Sequence, residues 1–194
     1  EIYHLACPTS SGRYEEFRTQ SLEANSIGVQ MTLKLAVAQR AKYLLASSSV
    51  VYGATSKDQN RFAEEDEGRV EHLSPHACYD EGKRFAETCV DTYRNVYALD
   101  AKIARIFPTY GPRMRLRDGL FIADFIIDAL DGKPLVVYGN EQSETTLCYI
   151  SDMIDGLIRL MRTGPDGFVV NLGTDETSPV EEVAKKIIAM TGSS

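Results

Sequence analysis

Three short apolar runs, Ile2–Ala6, Tyr43–Ala46 and Ala101–Phe107, are separated by long stretches of helical periodicity, and this alternation leaves few architectures open. Parallel strands need a crossover between them, and a helix of ten or more residues is the usual one. From Glu15 to Ala41 the apolar residues Leu22, Ile27, Met31, Leu35 and Ala38 fall near one stripe, and a second helix is expected from Cys78 to about Tyr97. Further along, helices are expected at Phe121–Leu130, Asp152–Met161 and Val180–Met190. Short strands are expected at Leu135–Tyr138 and Phe168–Leu172. The pattern predicts an α/β fold built on a parallel sheet, whose ligands would bind beyond the C-terminal ends of the strands.

Two features fall at such ends. Tyr43–Ala46 runs into the hydroxyl cluster Ser47, Ser48 and Ser49, and Ala101–Phe107 is closed by Pro108. Some thirty residues after the serines stands Tyr79-Asp-Glu-Gly-Lys83, whose four-residue spacing puts Tyr79 and Lys83 on one helix face. An ammonium beside a phenol favours the phenolate and turns a group of ordinary pKa about 10 into a usable base. A nearby serine hydroxyl could hold the oxygen that gains or loses the proton. The spacing alone also fits a solvated lysine beside a packing tyrosine, so the surrounding segments must decide.

Composition narrows the partners. A net charge of −7 without a lysine- or arginine-rich run argues against nucleic acid. The longest apolar stretch is broken by Asp124, Asp128 and Asp131, so no membrane span is expected. Cys7, Cys78, Cys89 and Cys148 have no Cys-x-x-Cys spacing and read as thiols of a reducing, cytoplasmic compartment. His72 and His76 near Cys78 are split by Pro75 and read as loop residues, and Glu64–Glu67 reads as a solvated acidic loop; no metal site is expected.

Taken together, the segments resemble the extended short-chain dehydrogenase/reductase family, in its sugar-nucleotide branch and most nearly its UDP-glucuronate decarboxylases. The resemblance is carried by residues 3–8, by Cys78–Arg84 with Ala86–Thr88, and by Ala104–Phe107 with Thr109–Met114. Val137–Gly139, Tyr149–Asp152 and Asn171–Gly173 add to it. It implies a Rossmann-like parallel sheet over residues 1–107. Residues 108–194 would form mainly a smaller α/β substrate-binding portion, with 143–165 returning to the sheet. It further implies NAD as cofactor, near Ala6, Cys7, Ser47, Tyr79, Lys83 and Phe107. Ser48, Tyr79 and Lys83 would be catalytic. A UDP-sugar would contact Ser48, Ser49, Thr109, Arg113, Tyr138 and Thr145. In that chemistry NAD oxidises the sugar C4 hydroxyl, carbon dioxide leaves from the resulting β-keto acid, and the hydride returns. The two long helices correspond to those that pair in the family's homodimers.

Four departures qualify the resemblance. Val50 stands where decarboxylases and dehydratases carry a glutamate, which leans toward a 4-epimerase. Pro108 replaces an asparagine, and Thr145 with Glu144 beside it replaces a diphosphate-binding arginine. No glycine-rich dinucleotide fingerprint occurs, so the first βαβαβ portion is expected to be missing from this stretch, as in a fragment of a longer enzyme. The competing expectation is a non-catalytic relative serving as a binding or assembly module.

Overall fold

The computed structural model describes residues 1–9, 14–54, 61–137, 144–163 and 168–193. Strands β1 (Ile2–His4), β2 (Tyr43–Ser48), β3 (Ala101–Ile106) and β7 (Val169–Leu172) form one parallel sheet in the order β1-β2-β3-β7. Tyr43 pairs with Ala101 and Ser48 with Ile106, so β2 and β3 run level and end together. Joining β3 and β7 are α4 (Phe121–Leu130) and α5 (Ile150–Arg162), with three short strands: β4 (Thr109–Tyr110), β5 (Glu144–Thr146) and β6 (Cys148–Tyr149). After β7, β8 (Thr177–Pro179) pairs antiparallel with β5 and leads into α6 (Val180–Thr191), which packs on α4.

Alternation along β2 and β3 sends side chains to two separate cores. Tyr43, Leu45, Ala101 and Ile103 pack with Val29, Leu33 and Ala36 of α2 (Val29–Gln39) and with Ala86, Cys89 and Val90 of α3 (Ala77–Tyr97). Leu44 and Ala104 face the other way, against Met153, Leu157, Leu160 and Met161 of α5. Cover on both faces explains why Tyr43–Ala46 of β2 is a continuous apolar run rather than alternating.

The long first helix differs from the sequence expectation. It comprises α1 (Tyr14–Glu23), a π-helical turn at Ala24–Gly28, and α2. Its inward face is Asn25, Val29, Leu33 and Ala36, while Leu22, Ile27, Met31 and Leu35 are each about half or more exposed. The apolar stripe read from the sequence therefore lies on the solvent side. Leu135–Val137 belongs to no strand, contrary to expectation; Tyr138 lies outside the described residues. No helix among the described residues is long and apolar enough to cross a membrane.

Helices α2 and α3 stop at Arg40 and Ala98, whose φ of 49° and 52° are left-handed. A Cβ is unfavourable there, and glycine is the usual occupant of this cap. Replacing exposed Ala98 by glycine is expected to stabilise the fold by about 0.5 kcal/mol once the greater freedom of the unfolded chain is counted. Urea unfolding would show this as a higher midpoint at an unchanged slope.

Candidate active site

Helix α3 lies against the C-terminal end of β2 and meets three consecutive strand residues with three side chains spaced four apart. Lys83 Nζ donates to the Ala46 carbonyl at 2.8 Å. Ser47 Oγ donates to Glu87 Oε1 at 2.5 Å. The hydroxyls of Tyr79 and Ser48 share a hydrogen bond. Such spacing is one helix stripe, so the strand end and the stripe fix each other. Ser48 is also the N-cap of the 3₁₀ turn Ser49–Tyr52, accepting from Val50 N at 3.4 Å. Tyr79 and Lys83 are both buried, and Lys83 Nζ sits 5.7 Å from the Tyr79 ring centre.

The loop after β1 closes this corner. Cys7 Sγ accepts from Asn25 Nδ2 at 3.1 Å, and Asn25 occupies the π-helical turn, fully buried, with Oδ1 lacking a partner among the described residues. A Cβ at Gly82 would come within 3.1–3.2 Å of the Asn25 side chain, so a glycine between Tyr79 and Lys83 lets α3 seat closely on that turn. On β1, His4 is buried, bonds Thr32 through Nδ1 and leaves Nε2 without a partner among the described residues. Burial, and then the Lys83 charge, hold its pKa below the ordinary value.

Burial also decides the state of the tyrosine. The Tyr79 phenol is pushed up to about 12, chiefly by desolvation, against a smaller lowering by the Ser48 hydrogen bond. Lys83 is itself shifted down by burial, opposed by Cys7 and Glu87. The expectation that Lys83 would favour the phenolate is therefore corrected: in the protein alone, desolvation outweighs it and Tyr79 is a neutral hydrogen-bonding phenol.

A charged network lies behind the stripe. Arg105 of β3 binds Glu87 through Nε (3.1 and 3.3 Å) and Nη2 (2.8 Å), and its Nη1 donates to Tyr52 Oη and the Glu64 carbonyl, each at 2.8 Å. Tyr52 Oη donates to Asn171 Oδ1 at 2.7 Å, and Asn171 N donates to Glu64 Oε1 at 2.8 Å. The ends of β2, β3 and β7 are thus tied to the loop at 62–64.

Of the residues expected from the sequence, Ser48, Tyr79 and Lys83 converge, with Cys7 beside them. Ala6 is exposed just past β1. The Ser47 hydroxyl is committed to Glu87, and Ser47 pairs with Arg105 in the sheet. Ser49 begins the 3₁₀ turn. Phe107 lies past β3, its N–H bonded to Leu172 O, and Gly173 is required because a Cβ there would be 2.8 Å from Phe107 Cβ. Thr109 Oγ1 donates back to Phe107 O at 2.8 Å. Thr145 stands apart in the β5–β8 ribbon. Arg113 lines a separate apolar cavity of about 350 Å³ with Tyr110, Met114, Ile122 and Tyr149. Asn25, Glu87 and Arg105 were not anticipated. Only Glu87 had a legible signal, since it extends the Tyr79–Lys83 spacing by one further turn.

A family model described as "NAD dependent epimerase/dehydratase family" matches residues 1–173. The chain belongs to this family. It is 39% identical over 193 residues to UDP-glucuronic acid decarboxylase 1 of Xenopus tropicalis, covering 100% of this chain and 45% of that protein. It is 40% identical over 187 residues to UDP-glucuronic acid decarboxylase 5 of Arabidopsis thaliana, covering 96% and 54%. Among solved structures it is similar to UDP-glucuronic acid 4-epimerase from Bacillus cereus in complex with NAD. That match has a TM-score of 0.84 and 26% identity, and covers 100% of this chain and 60% of that one. The chain spans about half the length of the curated relatives it matches.

The matching family is NAD dependent, and Lys83 could hold the ribose at the nicotinamide end of such a cofactor. An ammonium has three donors, one of which Lys83 gives to Ala46; the other two suit ribose hydroxyls. The described residues include no glycine-rich strand-to-helix turn to cradle a dinucleotide diphosphate, so they fit one end of the cofactor only.

Tyr43, like Tyr79, is raised to about 12 by burial. Both phenols ionise near 10 when unfolded. Their contribution to stability is complete below pH 10 and is lost as pH rises toward 12, by roughly 1.4 kcal/mol per pH unit for each group. Urea titrations between pH 9 and 11.5 should show this slope, and Tyr79→Phe should remove about half of it.

Proposed function

We propose that this chain is part of an NAD-dependent sugar-nucleotide enzyme that oxidises a sugar hydroxyl transiently, and that its substrate is UDP-glucuronate. The observation that carries this reading is the convergence of Ser48, Tyr79 and Lys83 at the C-terminal edge of the sheet. Ser48 holds the C4 oxygen, and Tyr79, as the phenolate that the Lys83 ammonium supports, takes its proton and becomes the phenol. NAD, when bound, supplies the hydride acceptor together with a positive charge beside Tyr79, and that charge opposes the burial that otherwise keeps the phenol neutral. The 4-ketone is β to the C6 carboxylate, so the C5–C6 bond breaks to release carbon dioxide and its electron pair moves toward the C4 oxygen. Tyr79 and Ser48 hydroxyls stabilise that developing charge. This is lyase chemistry, and it needs no carboxylate at position 50.

A 4-epimerase is the second reading, favoured by Val50 in the turn that follows Ser48 and by the likeness to the Bacillus cereus enzyme. Incubating the full-length protein with UDP-glucuronate separates the two: carbon dioxide and a UDP-pentose support decarboxylation, and UDP-galacturonate supports epimerisation. Neither product, with no NAD bound, would indicate a binding module instead. Tyr79→Phe is expected to lower turnover at least 100-fold with little change in nucleotide-sugar affinity.

The reading includes a homodimer. Leu22, Ile27, Met31 and Leu35 on the first helix and Phe85 and Val96 on α3 are large apolar side chains left in solvent. Neighbouring helices that expose such stripes suit a four-helix interface. A cytoplasmic setting suits the four free thiols. Light scattering of the full-length protein should give twice the monomer mass, and Met31→Lys should shift it toward monomer.

A further inference from the structure

Lys83 is 3% exposed, and among the described residues no carboxylate pairs with its ammonium, which donates to a neutral carbonyl. Four titratable groups face it. They are His4 on β1 and Cys7 just after it, with Tyr79 one turn before and Glu87 one turn after on α3. Of these, only Glu87 is a carboxylate. Its charge does not act alone, because the Arg105 guanidinium lies directly behind it and takes both oxygens. Both partners are largely removed from water, at 12% and 13% side-chain exposure, so the pair acts where charges are weakly screened.

Helix α3 therefore carries an ordered line, Tyr79, Lys83, Glu87, whose last member is neutralised from β3. We propose that Glu87 is a positioning residue whose charge, metered by Arg105, sets the protonation of Lys83, and whose bond to Ser47 aims the adjacent Ser48 at Tyr79. The inference rests on the reading above for what Lys83 and Ser48 do, but its effect on Lys83 exists without substrate or turnover. The network also couples the site to its surroundings. Arg105 reaches Tyr52, Tyr52 reaches Asn171, and Asn171 reaches Glu64, so movement of the 62–64 loop changes how much of Arg105 remains for Glu87.

The decisive feature is sign. Glu87→Gln keeps a hydrogen-bonding group for Ser47 but removes the anion and leaves Arg105 uncompensated, so the Lys83 midpoint should fall by about one pH unit. Arg105→Gln exposes Lys83 to an unshielded carboxylate, so the midpoint should rise by a comparable amount. The double variant carries neither charge and should return close to the parent value. It also removes both charges together and leaves neither unpaired, so it remains testable where a single variant unfolds.

The midpoint is read from the carbon-13 shift of lysine Cε in labelled protein, with Lys83 assigned by its loss in Lys83→Met. Opposite shifts in the two single variants and recovery in the double support the inference. Equal Lys83 midpoints in all folded variants, or shifts of the same sign, overturn it and leave Glu87 as a structural residue. Loss of NAD or UDP-glucuronate binding would sink the functional reading without touching this result. In the full-length enzyme, the alkaline or acidic limb of the kcat profile should move with Lys83 in each variant.

Discussion

Everything at this site depends on how one helix face seats on one strand end. Tyr79, Lys83 and Glu87 project from α3 at four-residue intervals, and each meets a different member of Ala46-Ser47-Ser48. Neither partner could be displaced by a residue without breaking all three contacts. The seating is enforced below by Ala86, Cys89 and Val90 in the core and beside it by Gly82 against Asn25. Packing of apolar residues therefore sets the ångström-scale placement of the polar ones, and the polar contacts then discourage slippage along the strand.

Removal from water has opposite uses for the two central groups. It raises the Tyr79 phenol and lowers the Lys83 ammonium, so both drift toward their neutral forms in the protein alone. A site balanced in this way responds strongly to a charge brought into it. Small additions of positive charge beside Tyr79, or negative charge beside Lys83, move protons that a solvated pair would leave in place. The buried Glu87–Arg105 pair adds an internal charge of this kind and simultaneously binds β3 to α3.

The sheet was legible because its strands are short continuous apolar runs between long helices, and the helix at Phe121–Leu130 falls on the expected residues. The sequence failed where exposure and pattern part company. The Leu22–Leu35 stripe has the periodicity of a buried face, yet the inward residues are Val29, Leu33 and Ala36. Periodicity identifies an apolar face without saying what covers it. The π-helical turn was also invisible, because the weak helix formers Asn25, Ser26 and Gly28 do not signal a wider turn over an ordinary one; the turn accommodates the tertiary contacts of Asn25 with Cys7 and Gly82. Leu135–Val137 has strand composition but no neighbouring edge in the described structure. At the site, the Tyr79–Lys83 spacing was readable, whereas the fate of Arg105 was not, since an arginine in a strand carries no mark of its partner.

On the proposed reading, the chemistry end and the anion-binding end of this surface differ in how far they keep the expected residues. Ser48, Tyr79 and Lys83 are held in one compact arrangement, while the positions expected to meet a diphosphate hold Pro108 and Thr145. Nearby arginines are largely occupied: Arg105 with Glu87, Arg84 with Glu81 and the carbonyls of Val51 and Glu67, and Arg117 with Asp128 and Asp131. Arg61 stands differently. It lines a cavity of about 240 Å³ at the ends of β3 and β7, with Phe107, Thr146, Asn171 and Thr174. An arginine–phosphate contact is among the stronger polar interactions, so on the proposed reading its absence at position 145 would weaken ground-state binding more than it would alter the proton-transfer geometry. Divergence of that kind would change how tightly a sugar nucleotide is held while leaving the proposed catalytic groups in place.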